Sequence, residues 1–145
     1  MLNNTISVVV LGAGKPFSGE QHTALRSVAG NARVLDWMLN TFSAFLPEPL
    51  FVTGYQAEAI RASYPNFNFR HNNDWESTGA GWSLLVGLPE KDHECFVSYS
   101  DVLYRASTVS QLMEAEGDVI IAVDSQWRTR YAGRKQVDLV RSEKT

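Results

Sequence analysis

Apolar residues recur along this chain in two alternating rhythms. Ile6 to Leu11 is an almost unbroken aliphatic run, the pattern of a strand buried on both faces, and it breaks into Gly12-Ala13-Gly14-Lys15-Pro16-Phe17-Ser18-Gly19. Arg33 to Phe45 then places Val34, Leu35, Met38, Leu39, Phe42 and Phe45 at helical spacing, and Pro47 and Pro49 stop it. Leu50 to Thr53 predicts a short strand ended by Gly54. Gln56 to Ser63 predicts a short helix closed by Pro65, and Phe67 to His71 alternates as a strand does. The polar, glycine-bearing segment from Asn72 to Gly81 leads into a helix expected over Trp82 to Leu88, before Pro89. Glu94 to Ser100 predicts a further buried strand that delivers Asp101 at its carboxyl end. A helix is expected from Thr108 to about Glu116, and Asp118 to Asp124 is the most strand-like run of all. Strands separated by helices predict an α/β chain with a mainly parallel sheet covered on both faces.

Ligands of such sheets bind outside the carboxyl ends of the strands, so the informative polar residues follow each apolar run. The first such loop tests two familiar phosphate motifs. A dinucleotide fingerprint needs a small residue where Phe17 stands, and the phosphate loop of nucleoside triphosphatases needs Lys and Ser/Thr where Glu20 and Gln21 stand. Neither fits. What remains is a glycine-rich strand-to-loop element whose backbone can approach a phosphate, or an ordinary turn. Asp101 is placed to hold Mg²⁺, or to cap a turn. Asp124 has the same strand-end position, with a turn role as its alternative. Arg128, Arg130 and Lys135 are candidate phosphate partners or solvated surface residues.

Composition narrows the classes. With 145 residues, 44% of them hydrophobic, the chain is expected to bury one core as a single domain over residues 1–145. A net charge of -3 without a Lys/Arg cluster argues against a nucleic-acid partner. The single cysteine, Cys95, allows no internal disulfide. The opening residues have neither a charged leader nor an apolar stretch long enough to span a membrane, so a cytoplasmic protein is expected. His22, His71 and His93 show no metal-ligand spacing and receive no role.

Four segments in order resemble the amino-terminal part of the nucleotidyltransferases that activate sugar phosphates, choline phosphate or phosphonates. They are Leu11-Gly12-Ala13-Gly14 with its strand, Thr53 to Ile60, Asn73 to Gly79 leading to Ser83-Leu84, and Ser100-Asp101-Val102. Val123-Asp124, Trp127, Tyr131 and Arg134 continue the similarity. The resemblance implies a three-layer α/β/α fold of the Rossmann-like nucleotide-diphospho-sugar-transferase type, truncated at its carboxyl end. It implies that Leu11, Gly12, Ala13, Gly14 and Lys15 hold the triphosphate of an NTP, CTP in preference. Thr78, Gly79 and Ser83 would contact the base. Asp101, with Asp124 as a further carboxylate, would hold Mg²⁺, and Lys15 and Asp101 would be the catalytic pair. The implied reaction is attack of a phosphate or phosphonate oxygen on the α-phosphorus with release of pyrophosphate.

The departures are specific. The family carries an arginine in the glycine loop and a Pro-Lys pair after it, where this chain has Lys15-Pro16-Phe17-Ser18 and His22-Thr23. Lys15 and Arg26 are the candidate substitutes. The family's second metal-binding carboxylate and its acceptor-closing strands fall beyond residue 145, so a non-catalytic, nucleotide-binding or self-associating domain is the alternative reading. An uncovered sheet edge would favour a homodimer. Trp37, Trp75, Trp82 and Trp127 would serve such a surface or, more commonly, the core.

Overall fold

A computed structural model describes residues 6–17, 19–89 and 94–135. Ser18 and His93 lie outside them. The chain divides into two compact units, Met1–Gln111 and Leu112–Thr145. In chain order the first holds β1 (Ser7–Gly12), a single 3-10 turn (Thr23–Leu25), β2 (Ser27–Ala29), β3 (Ala32–Arg33), α1 (Val34–Phe42) and β4 (Leu50–Thr53). Then follow α2 (Ala57–Ser63), β5 (Asn68–His71), α3 (Ala80–Gly87), β6 (Cys95–Tyr99) and most of α4 (Ala106–Glu114). The second unit holds the short helix α5 (Trp127–Arg130).

Four strands form a parallel sheet in the order β5-β4-β1-β6. β1 is central because both of its faces are apolar: Val8, Val9 and Val10 are all buried. Side chains alternate across a strand, and the register puts Val9 and Leu11 on the same face as Val52. That face carries a core of Val9, Leu11, Ala13 and Val52, against which Ala80, Leu84 and Val86 of α3 pack. The opposite face meets α1. Met38 accepts a hydrogen bond from Ser98 of β6 at 3.6 Å, and the Phe42 ring lies edge-on to Phe96, centroids 5.2 Å apart. The sheet therefore has a helix layer on each side, the α/β architecture expected from the alternating pattern.

The helix ends differ from the expectation by local chemistry. α1 stops at Phe42, because Pro47 disfavours helical backbone at Leu46 and the intervening residues close a turn, Leu46 N donating to Phe42 O at 2.8 Å. α3 starts at Ala80, two residues before Trp82, and its last carbonyls are taken by Arg70 of β5, whose Nη1 donates to Val86 O at 3.1 Å and to Leu88 O at 2.8 Å. A small antiparallel pair, β2 with β3, was not expected from the apolar pattern, since all three residues of β2 are exposed.

One expected strand does not form. Asp118 to Asp124 is irregular, with Val119, Ile121 and Val123 exposed at 81%, 66% and 61%. A β-branched run becomes a strand only when a neighbour completes its ladder, and no described strand pairs with this one. The tryptophans also depart from the core expectation: Trp37, Trp82 and Trp127 are exposed, and Trp75 packs against the core from its edge. Among the described residues no helix is long and apolar enough to cross a membrane.

Docking of α3 depends on a close approach. A Cβ on Gly87 would lie 2.6 Å from Val9 Cγ1 and 2.7 Å from Val52 Cγ2, so alanine there forces the helix off the sheet. Gly87→Ala is expected to lower stability by about 1–3 kcal/mol in a denaturant titration. Gly14→Ala, with nothing within 4 Å of its Cβ position, is the contrast and leaves the midpoint in place.

Candidate functional site

The site begins where β1 leaves the sheet. Leu11 O accepts from Ser100 N at 3.0 Å, and Ala13 O accepts from Tyr55 N at 2.9 Å, so the segments after β6 and after β4 both close on the end of β1. Between them, Gly12 O lies 2.7 Å from Nε2 of His22, which is 1% exposed. The glycines of this loop do different things. A Cβ on Gly12 would run into the ring of Phe51 on the core side, whereas Gly14 faces open space. Gly12 is thus a packing requirement, and Gly14 is the position past which a ligand can approach.

Segment 20–23 is bound to the turn after β4. Tyr55 Oη donates to Glu20 O at 2.6 Å, Gln56 Nε2 donates to the same oxygen at 2.5 Å, and His22 N donates to Gln56 Oε1 at 2.7 Å. Gln56 does this from a left-handed backbone, φ 51°, a conformation that costs a non-glycine residue on the order of 1 kcal/mol. Such strain persists where the surroundings require it. Lys15 Nζ lies 5.6 Å from the centroid of the Tyr55 ring, and the Tyr55 and Trp75 rings are also 5.6 Å apart.

The opposite wall is built around Asn72, 1% exposed at the end of β5. Its Nδ2 donates to Thr78 Oγ1 at 3.0 Å and to Ser83 Oγ at 3.1 Å, while its Oδ1 accepts from Asp74 N at 3.0 Å. One side-chain amide therefore places both hydroxyls expected to meet a base. Thr78 donates its own proton to Asp74 O at 2.8 Å. Gly79 is the cap residue of α3 and has no side chain to bond the first amides of that helix, and it lines the same space as Thr78 and Ala80.

These walls enclose a cavity of about 270 Å³ outside the carboxyl ends of β1 and β6. Leu11, Gly12, Ala13, Gly14 and Lys15 line it from the first loop, Thr78, Gly79 and Ser83 from the start of α3, and Asp101 from the turn after β6. Nine residues expected at a site from the sequence thus share one cavity. The lining also includes Thr23, Trp75 and Ser100. Thr23 stands where the resemblance puts a phosphate-contacting lysine. Arg26, the other candidate cation, is not part of the lining; its guanidinium packs against Gly19.

Asp124 belongs to the second unit and has local partners there. Its Oδ1 accepts from Gln126 N at 3.0 Å, and its Oδ2 pairs with Arg130 Nε at 3.2 Å. These are the bonds of a capped turn, the alternative open for it from sequence. Arg130 is used by that pair, and Arg128 lies over the Trp127 ring at 5.5 Å.

Among the described residues no three His, Cys, Asp or Glu side chains converge as a metal cage. Asp101 is the carboxylate residue lining the cavity, and Ser100 lines it as well. This set suits a hard cation that keeps its waters and arrives with a phosphate, as Mg²⁺ does, and not a cation held by protein alone.

A parallel sheet between helix layers, with its cavity outside the carboxyl strand ends, places the chain among the Rossmann-like α/β folds. No protein-family model matches the sequence, and no curated protein matches it. Among solved structures it is similar to a nucleotidyl transferase from Methanothermobacter thermautotroptrophicus, with a TM-score of 0.66 and 20% identity over 77% of this chain and 57% of that one. The two proteins therefore share a fold, and the chain spans little more than half the length of that protein.

His22, Asn72 and Gln56 were not legible as site residues, because each acts through a hydrogen bond on a group at least six residues away in sequence. Asn72→Ala leaves the buried Ser83 without its donor and is expected to cost about 1–3 kcal/mol, read as a lower denaturation midpoint at unchanged slope.

Proposed function

We propose that this chain is a nucleotidyltransferase-like protein that binds a nucleoside triphosphate in the cavity at the end of β1 and passes its nucleotidyl group to a phosphorylated acceptor. The observation that carries the reading is the convergence of the first loop, the start of α3 and Asp101 on one cavity. Loop backbone and Lys15 suit a polyphosphate; the hydroxyls of Thr78 and Ser83 and the ring of Trp75 suit a base. CTP as the preferred nucleotide, and a sugar phosphate, choline phosphate or phosphonate as acceptor, rest on the motif resemblance.

In this reading an acceptor oxygen forms a bond to the α-phosphorus, the bond from that phosphorus to the bridging oxygen breaks, and pyrophosphate leaves with the electron pair. Lys15 and the amides of the first loop offset charge on the phosphate oxygens, and the walls hold the nucleotide for in-line attack. Asp101 would hold Mg²⁺, which when bound supplies further neutralisation of those oxygens. Asp124 as a further Mg²⁺ ligand rests on the motif resemblance alone.

A second reading is a non-catalytic domain that acts in nucleotide binding or in self-association, and the sheet order favours the self-association. β6 is the last strand in the described sheet, and Val97 within it is 39% exposed.

Thermal unfolding with CTP and Mg²⁺ tests binding: at a hundredfold excess over Kd a single site adds about 2.7 kcal/mol, seen as a raised midpoint. Asp101→Asn is expected to remove the Mg²⁺-dependent part of that shift. Pyrophosphate release across a panel of nucleotides and acceptors tests turnover, and silence in both assays overturns the enzymatic reading. Light scattering after size exclusion decides the pairing: a monomer at high concentration excludes it.

A further inference from the structure

The peptide at Gly12 breaks the regular ladder of β1. In a parallel ladder, carbonyls two residues apart face the same neighbour. Here Leu11 O is bonded on the β6 side, to Ser100 N, and Ala13 O on the β4 side, to Tyr55 N. The strand has therefore rotated between them, and the carbonyl at the pivot, Gly12 O, is taken by the ring of His22 at 2.7 Å.

We infer that His22 is a positioning residue of the candidate site: its Nε2–H, bonded to Gly12 O, fixes the pivot at which β1 becomes the loop, so that Ala13 to Lys15 cross the cavity in the orientation a polyphosphate requires. This rests on the proposed function only for what the loop binds. The ring's partners fix its proton. Ala24 N can only donate, and it meets Nδ1 at 3.1 Å, so Nδ1 accepts and Nε2 carries the hydrogen that goes to the carbonyl. Burial lowers the pKa of His22 and keeps this neutral form, against the smaller opposing pull of the Gly12 bond and the Asp101 charge. The ring is also held in place: the backbone N–H of His22 is bonded to Gln56, and the imidazole is tilted against the Phe51 ring, centroids 6.2 Å apart, the same ring that leaves no room for a Cβ on Gly12.

The two ring nitrogens do separable jobs, and two substitutions separate them. His22→Asn keeps an acceptor for Ala24 N, and so the 3-10 turn, but is too short to reach Gly12 O. His22→Gln carries an amide nitrogen out to the position of Nε2. The expected result for His22→Asn is amide hydrogen exchange about fivefold to tenfold faster, in the ligand-free protein, at Tyr55 and Ser100, whose N–H groups bond the carbonyls on either side of Gly12. Inorganic tripolyphosphate with Mg²⁺, measured by calorimetry, should bind more weakly by a similar factor, and His22→Gln should restore both readings. Unchanged exchange in His22→Asn, or equal loss in both variants, overturns the positioning role. If the parent binds no tripolyphosphate while exchange follows the expected pattern, the positioning role stands and the proposed nucleotide function falls.

Discussion

Everything in the first unit depends on β1 being paired on both edges and buried on both faces. Its parallel registers set Gly12 beside Thr53 and Leu11 beside Tyr99, so the ends of three strands come level. The segments leaving those ends, from Ala13, Gly54 and Ser100, then have nowhere to go but over one another. A cavity at that end is a consequence of the ladder, and the chemistry in it is whatever those segments carry.

What the segments carry is held in position by buried polar groups. His22, Asn72 and Thr53 are each within about 1% of full burial, yet every one has partners: Thr53 Oγ1 bonds Arg70 O at 3.2 Å and His71 Nδ1 at 3.1 Å. Among the described residues no buried side-chain nitrogen or oxygen lacks a hydrogen bond. An unpaired group of this kind costs about 1–3 kcal/mol, so each of these side chains restricts its neighbours to the arrangement that satisfies it. The left-handed backbone of Gln56 is the visible cost of that arrangement, accepted because its side chain ties two loops together.

Much of this was legible in the residues. The apolar runs marked β1, β4, β5 and β6, and Asp101 fell where a strand-end rule puts a functional carboxylate. Lys15, Thr78, Gly79 and Ser83 were implied by the resemblance of the ordered segments, and all four line the cavity. The misreadings share a cause. Asp118 to Asp124 has the composition of a strand without a ladder partner among the described strands. Trp37 and Trp82 have the type of core residues, but their helices present other positions to the sheet: Leu35, Met38 and Phe42 on one, Ser83 and Gly87 on the other.

By itself, the sequence determined the alternation of strands and helices, the parallel sheet, and the candidate residues that follow each strand, because these depend on local periodicity and on the position of residues along the chain. Tertiary structure alone decided that Gly12 serves packing while Gly14 faces the cavity, that Thr23 lines the site while Arg26 does not, and that His22 and Asn72 support it. Those outcomes depend on contacts between segments brought level by the β1 ladder, and a hydrogen bond across such a distance leaves no periodic trace in the order of residues.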